Sequence, residues 1–265
     1  MGGESAVFRG DRGKRRWCVR HPQGREQAGV EGARLAGTKG LRVNLPNTIT
    51  VGRILAAPFI AALPFIASPG ARLVAFVFYI VAAVTDYYDG KLARTRNLIT
   101  DLGRLLDPLA DKLLLFATLV PMFVLMAPTS DALVPTRAES IDAARLQFIT
   151  PFGQVGLPWW IVAIVIGREI FMTVFRQAAA RRGVVISAIG PAKWKTGFQS
   201  VWVGSAYFWF FAATLARVEG WTSVAWRAFA NFNGIVGTIT MIASVFLTVY
   251  SLILYLRRFA GVFAA

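Results

Sequence analysis

The amino-acid sequence predicts an all-α integral membrane protein in which six transmembrane helices leave both termini in the cytoplasm. Of its 265 residues, 55% are hydrophobic and 16% are charged, whereas soluble domains carry roughly a quarter charged residues. Six stretches approach the length of about 20 apolar residues that a helix needs to cross the hydrocarbon core. Basic residues are also divided unevenly between the two sides that these stretches would define.

Turn and loop signals separate the six apolar stretches, as expected for helices joined by loops. The predicted spans are residues 48–66, 72–94, 101–126, 157–180, 195–215 and 233–256. The connection from 128 to 156 is much longer than the others. This connection could be an external flap or a plain linker, and we interpret it as a linker.

The basic residues predict the orientation, because Lys and Arg favour the cytoplasmic side. Placing the amino terminus inside leaves five of the 29 basic residues on the outer side. These are Arg72, Arg137, Arg145, Arg217 and Arg227. The protein is therefore expected to be a multi-pass protein of the cell membrane with both termini in the cytoplasm.

The first 40 residues differ in composition from the rest of the chain. Their basic residues are interleaved with Gly, Gln and Pro. Such a segment buries too little apolar surface to offset the conformational entropy that it would lose on folding. We predict a disordered cytoplasmic tail at residues 1–40 and a membrane domain at residues 41–265. Electrostatic attachment of the tail to anionic headgroups, worth about 1 kcal/mol per basic residue, is the functional alternative.

The net charge of +15 restricts the classes of partner. Such an excess suits nucleic acid, anionic lipid or a phosphorylated substrate, and the hydropathy of +0.53 argues against nucleic acid. Cys18 is the one cysteine in the sequence, so no intramolecular disulfide can form. The chemistry must come from carboxylates, bases and backbone groups.

Four aspartates are concentrated where the second span ends and the third begins. Asp86 and Asp89 are three residues apart, and Asp107 and Asp111 are four apart, so each pair shares one helix face. A short turn at residues 95–100 makes the two spans antiparallel neighbours. The four carboxylates can therefore converge.

The cost of this convergence indicates a bound cation. One Asp at mid-membrane costs roughly 2.5–3.5 kcal/mol, so four cost on the order of 10 kcal/mol. Oxygen ligands without His or Cys select Mg²⁺, Mn²⁺ or Ca²⁺, and shared carboxylates can bridge two ions. The alternative is neutralisation by nearby basic side chains, namely Lys91, Arg94, Arg96, Arg104 and Lys112.

Small residues lie on or beside the two acidic faces, at Gly90, Ala93 and Gly103. They leave space in which a flat ligand could bind between the helices. Close packing of the two helices is the structural alternative, because small residues are common at transmembrane helix interfaces.

These residues together carry a resemblance to a known family. From Asp86 to Asp111 the chain reads Asp-x-x-Asp-Gly-x-x-Ala-Arg, eight residues, then Gly-x-x-x-Asp-x-x-x-Asp. This pattern resembles the signature of the CDP-alcohol phosphatidyltransferases. Residues 45–53, 167–183 and 193–196 are similar to the phosphatidylglycerophosphate synthase branch of that family. The resemblance covers about residues 43 to 256, apart from much of the third connection.

The resemblance implies a CDP-alcohol phosphotransferase fold of six helices, a homodimer, and an active site that faces the cytoplasm. It implies two bound Mg²⁺ or Mn²⁺ ions, with Asp86, Asp89 and Asp107 as ligands. Asp111 would contribute to the second metal site or act as the catalytic base, and the base is the role we assign.

The resemblance also implies a binding site for the CDP group of the lipid substrate. Gly90, Ala93 and Gly103 would border the cytidine. Asn47 and Arg94 would lie near the diphosphate.

The acceptor alcohol is indicated by cations that follow in the fourth and fifth spans. Arg168 and Arg176 are eight residues apart, slightly over two turns, and so share one general face. An intramembrane Arg is costly enough to suggest a function; Glu169 points in another helical direction and is not assumed to be its partner. By resemblance, Arg168, Arg176 and Lys195 would bind a phosphate on the acceptor.

Several cations suit a phosphate monoester, which favours glycerol 3-phosphate over a neutral alcohol. The alternative is that basic residues here only set the topology, a role that we assign to about half of four residues: Arg176, Arg181, Arg182 and Lys193.

The expected function is phospholipid biosynthesis: transfer of a phosphatidyl group from CDP-diacylglycerol to glycerol 3-phosphate, with release of CMP. Within the family, an inositol-phosphate acceptor or a cardiolipin synthase is the alternative. A cation-coupled transporter is the alternative from another class, although its acids would be distributed along a pathway. Membrane prenyltransferases are another enzyme class that binds Mg²⁺ through aspartates. They are expected to carry two Asp-rich motifs on separate helix pairs, whereas this chain has one such motif.

Overall fold

The computed structural model describes residues 45–96, 101–128, 146–181 and 190–259, all within the unit Val43–Ala265. The predicted tail lies outside the described residues. The elements, in chain order, are α1 (Leu45–Ala62), α2 (Pro69–Arg96), α3 (Asp101–Met126), β1 (Phe148–Thr150), β2 (Gly153–Val155), α4 (Trp159–Arg181), α5 (Gly190–Val218) and α6 (Val224–Phe259), with a short 3-10 turn at Leu63–Phe65.

Each predicted span corresponds to one of these helices, so the fold of six helices is confirmed. Five of them contain segments long and apolar enough to cross a membrane: Thr48–Phe65, Pro69–Asp86, Pro108–Met126, Trp194–Val218 and Val224–Arg258. The other helix, α4, carries charged residues in its middle, among them Arg168, Glu169 and Arg176. The chain is a multi-pass helical protein, and the sidedness of its termini stays a prediction.

Helix α5 lies at the centre of the packing, against α2 on one side and α6 on the other. Its Trp202, Tyr207 and Phe210 are almost completely buried. The Tyr207 hydroxyl lies 3.1 Å from the carbonyl oxygens of Ile60 and Ala117, and so connects α5 to α1 and α3. A buried tyrosine hydroxyl needs such partners.

The end of the third connection, which the sequence predicts to be a plain linker, forms a hairpin that packs on α6. Strands β1 and β2 pair antiparallel, and Phe148 is fully buried. Two glycines of α6 make room for β1: a Cβ on Gly237 would lie 2.3 Å from Phe148 Cζ, and one on Gly234 would lie 1.9 Å from the Ile149 carbonyl oxygen. The linker interpretation is therefore wrong for residues 146–156.

Candidate active site

A cavity of about 220 Å³ lies where α2, α3, α4 and α5 meet. Asp86 of α2 and Asp111 of α3 line one side, and Glu169 of α4 and Lys195 of α5 also line it. We call Asp86 and Asp111 the acidic wall. We call Arg168, Glu169 and Lys195, which are joined by ion pairs, the basic wall.

The acidic wall is held together by a cation from α1. Residues Thr50, Arg53, Ala57 and Ile60 are buried and recur at the spacing of one helix face, which directs Arg53 into the protein. Its Nη1 contacts Asp86 Oδ1 and lies 3.3 Å from Asp111 Oδ1. One guanidinium therefore connects carboxylates from two helices.

The described half of the predicted metal site fits a divalent ion. Two carboxylates from different helices face one cavity, already share a cation, and offer the oxygen donors that Mg²⁺ and Mn²⁺ prefer. Among the side chains that the structure describes, no group of three or more acids, His or Cys forms a metal site. The side chains of Asp89 and Asp107 lie outside that set, so the metal site stays a prediction.

The backbones of α2 and α3 agree with the expected arrangement of the four acids. Asp89 follows Asp86 by three residues within α2, and Asp107 precedes Asp111 by four within α3. Each pair therefore shares a helix face on adjacent turns. The predicted CDP-binding residues also fall within helices α1 to α3, with their side-chain positions outside the described set: Asn47, Gly90, Ala93, Arg94 and Gly103.

In the basic wall, one carboxylate oxygen holds two buried cations. Arg168 Nη1 donates to Glu169 Oε1 at 2.8 Å, and Lys195 Nζ contacts the same oxygen. Arg168 Nη2 also donates to Ser251 Oγ of α6 at 3.2 Å. Helical direction did not suggest the pairing of Arg168 with its neighbour Glu169, but the length of the arginine side chain makes it possible.

The structure separates Arg176 from the other two predicted phosphate-binding cations. Arg176 is exposed, and its guanidinium carbon lies 5.9 Å from the centroid of the Tyr255 ring, within cation–π range. Neither Arg176 nor Arg168 is among the described residues that line the cavity, but Arg168 is joined to the cavity through its ion pair with Glu169. Arg168 and Lys195 are brought together, whereas Arg176 contacts α6.

Arg53 and Glu169 are charged residues of the site for which no role was predicted. Arg53 stands in a segment that resembles the family, and an arginine within an apolar span is a signal in itself. Glu169 is the one carboxylate of α4. Both signals indicate a buried ion pair, but neither identifies its partners.

Comparison with known proteins agrees with the geometry. The model of the CDP-alcohol phosphatidyltransferase family matches residues 43–250. A probable phosphatidylglycerophosphate synthase of Mycobacterium tuberculosis is 32% identical over 164 residues, which are 61% of this chain and 64% of that protein. The CDP-diacylglycerol–glycerol-3-phosphate 3-phosphatidyltransferase of Bacillus subtilis is 33% identical over 174 residues, 61% of this chain and 75% of that protein.

A cardiolipin synthase (CMP-forming) of Oryza sativa is also similar, at 33% identity over 164 residues, 59% of this chain and 43% of that protein. The chain thus spans less than two thirds of the length of several curated relatives that it matches.

Proposed function

The chain belongs to the CDP-alcohol phosphatidyltransferase family, and on that premise we propose that it transfers a phosphatidyl group from CDP-diacylglycerol to glycerol 3-phosphate. The products would be phosphatidylglycerophosphate and CMP. The observation that carries the proposal is the cavity itself, in which carboxylates of α2 and α3 lie beside an ion-paired lysine of α5. An acidic site for metal and a cationic site for a phosphate monoester are what this pair of substrates requires.

In the proposed reaction, the acidic wall performs the chemistry. Asp86, Asp89 and Asp107 would hold two Mg²⁺ or Mn²⁺ ions, with Asp111 contributing to the second site. When bound, these ions would stabilise negative charge on the departing CMP. Asn47 and Arg94 would bind the diphosphate, and Gly90, Ala93 and Gly103 would border the cytidine.

Asp111 would act as the catalytic base. A hydroxyl oxygen of glycerol 3-phosphate forms a bond to the phosphorus of the phosphatidyl group, and the bond from that phosphorus to the oxygen of CMP breaks. The hydroxyl proton passes to the Asp111 carboxylate. The exposed position of Asp111 in the cavity supports this role.

The basic wall would recognise the acceptor phosphate. Lys195 and Arg168 are already oriented by Glu169, and a phosphate could replace that carboxylate as their partner through charge-assisted hydrogen bonds. Arg176 would be an outer member of the same group. The proximity of Lys195 to the acidic wall within one cavity supports the choice of a phosphorylated acceptor.

An apolar groove supports the choice of a lipid as the other substrate. This groove of about 440 Å³ is lined mainly by apolar side chains of α2, α5 and α6. It adjoins the cavity, because Tyr79, Ala83 and Ser200 line both. The acyl chains of CDP-diacylglycerol could occupy it while the headgroup reaches the acids.

The proposal includes a homodimer in the cell membrane with its cavity facing the cytoplasm. The distribution of basic residues supports this orientation, and family resemblance supports the dimer. Cross-linking in native membranes tests the dimer, and labelling a cysteine introduced at Thr196 in a Cys18→Ser background, in intact and lysed cells, tests the sidedness.

An acceptor panel tests the activity. Purified protein in detergent, with CDP-diacylglycerol and Mg²⁺, would receive glycerol 3-phosphate, inositol phosphate, phosphatidylglycerol or no acceptor. We expect CMP and a new lipid only in the reaction that contains glycerol 3-phosphate as the acceptor. A product with phosphatidylglycerol, as the similarity to a cardiolipin synthase allows, or with inositol phosphate would overturn the acceptor assignment.

Absence of CMP with every acceptor would refute the transferase itself. Cation flux through reconstituted vesicles without CMP release would instead favour the transporter class.

A further inference from the structure

Arg53 is a buried cation that directly contacts the acids of the proposed metal site. Its side chain is 4% exposed, whereas those of Asp86 and Asp111 are 49% and 63% exposed. One terminal nitrogen, Nη1, serves both carboxylates. Its Nε is buried without a hydrogen-bond partner among the described residues, and the contacts of Nη1 with the two acids offset the burial of its charge.

We propose that Arg53 is an internal counter-cation that competes with divalent metal ions for the acidic wall. The inference rests on the proposed function in one respect, namely that Asp86 and Asp111 belong to the metal site. Without metal, Arg53 offsets the repulsion between carboxylates of α2 and α3. When metal ions bind, Arg53 shares these carboxylate oxygens with the ions or loses its contacts to them. Arg53 therefore determines how tightly the ions bind.

The sign of this effect follows from electrostatics. A positive charge beside a cation site disfavours a second cation, and in a partly buried site the interaction is much stronger than in bulk water. Replacing Arg53 with a neutral side chain should therefore tighten metal binding. It should also destabilise the metal-free protein, because neighbouring carboxylates would then repel each other without compensation.

A purely structural arginine would behave differently, and the chain offers one for comparison. Arg72, near the start of α2, is 1% exposed. Its Nε donates to the Pro64 carbonyl oxygen at 3.0 Å, and its Nη1 contacts the Thr214 hydroxyl. It lies 14 residues before Asp86, which corresponds to about 21 Å along a helix. The effect of replacing Arg72 on protein stability should therefore be the same with and without metal.

The test measures Mn²⁺ binding to the full-length protein in detergent, without substrates, from the electron paramagnetic resonance signal of free Mn²⁺. Arg53→Gln should bind Mn²⁺ at least about tenfold more tightly than the wild type. Arg53→Lys, which keeps the charge, should stay within about threefold of the wild type. Arg72→Gln should leave the affinity unchanged.

Thermal unfolding provides the second measurement. Arg53→Gln should have a lower Tm than the wild type in EDTA, and saturating Mn²⁺ should remove most of the difference, because the ion replaces the missing charge. Arg72→Gln should lower Tm equally in both conditions. Arg53→Gln is therefore to be purified in Mn²⁺, and failure to fold even there would overturn the proposal.

Unchanged or weaker Mn²⁺ binding by Arg53→Gln, or an equal loss of Tm with and without Mn²⁺, would also overturn it. Asp86→Asn separates this failure from failure of the proposed function. If Asp86→Asn does not weaken Mn²⁺ binding, the metal site is wrong. If it does, and Arg53→Gln fails to tighten binding, only the role of Arg53 is wrong.

Discussion

The two walls of the cavity have the same construction with the charges reversed. In the acidic wall, two carboxylates share one guanidinium, and in the basic wall, two cations share one carboxylate oxygen. They differ in exposure. The Asp86 and Asp111 side chains are 49% and 63% exposed, whereas those of Arg168 and Lys195 are 7% and 5% exposed.

This difference in exposure suits the division of tasks that we propose. The exposed carboxylates are accessible to ions and to a proton donor, as chemistry requires. The buried cations are fixed in position by Glu169, and Lys195 lines the cavity beside that residue, as the proposed recognition of one phosphate requires. Substitutions in the acidic wall should therefore lower kcat, and substitutions in the basic wall should raise KM for the acceptor.

The largest effect is expected for Asp111→Asn. The amide cannot accept the hydroxyl proton, so kcat should fall by about 10²- to 10⁴-fold, with KM for glycerol 3-phosphate within about threefold of the wild type. Rates of CMP release over a range of acceptor concentrations measure both quantities. An Asp111→Asn protein with wild-type kcat would contradict the assignment of the base.

The next effect is expected for Lys195→Met, which removes a buried charge while keeping the length of the side chain. A lost charge-assisted hydrogen bond should raise KM for glycerol 3-phosphate about ten- to a hundredfold. KM for CDP-diacylglycerol should stay near that of the wild type. Lys195→Arg is the matched control and should retain most of the affinity; a fall in kcat alone would place Lys195 with the chemistry instead.

Arg168 and Arg176 should differ, although the sequence grouped them. Arg168→Gln should raise KM for glycerol 3-phosphate about tenfold, because a buried charge-assisted contact is lost. Arg176→Gln removes an exposed cation that lies over Tyr255, and its effect should be about threefold or less. Equal effects of the two variants would show that Arg176 joins the acceptor site when substrate is bound.

The smallest effect on activity is expected at the hairpin, which belongs to neither wall. A methyl group on Gly234 would collide with the Ile149 carbonyl oxygen, so Gly234→Ala should lower the free energy of unfolding by about 1–3 kcal/mol. Both KM values should be unchanged. Gly52→Ala, where a Cβ meets nothing within 4 Å, is the control, and thermal unfolding compares the two variants.

The sequence predicted the helices well, because the length of an apolar stretch is a local signal. It missed the hairpin because strands of three residues contain too little alternation to be recognised. What makes that packing possible is Gly234 and Gly237 in α6. Glycines in a transmembrane helix do not specify which element will contact them.

The site was predictable where its residues share a helix face or lie on helices joined by a short turn, as Asp86 and Asp111 do, which line one cavity. Contacts from the more distant helix α1 were not predictable. Helical spacing placed Asp86 with Asp89 and Asp107 with Asp111 on common faces. The contacts from Arg53 to Asp86 and Asp111 span 33 and 58 residues, and such pairings depend on which helices pack together. No spacing rule within α1 contains that information.

The most direct test of the central claim is the metal dependence of CMP release from CDP-diacylglycerol in the presence of glycerol 3-phosphate. The purified protein would first be depleted of metal with EDTA and then supplied with Mg²⁺ or Mn²⁺. We predict that depletion abolishes CMP release and that either ion restores it together with phosphatidylglycerophosphate. Release of CMP at the same rate in EDTA would contradict a metal-dependent phosphatidyl transfer at this cavity.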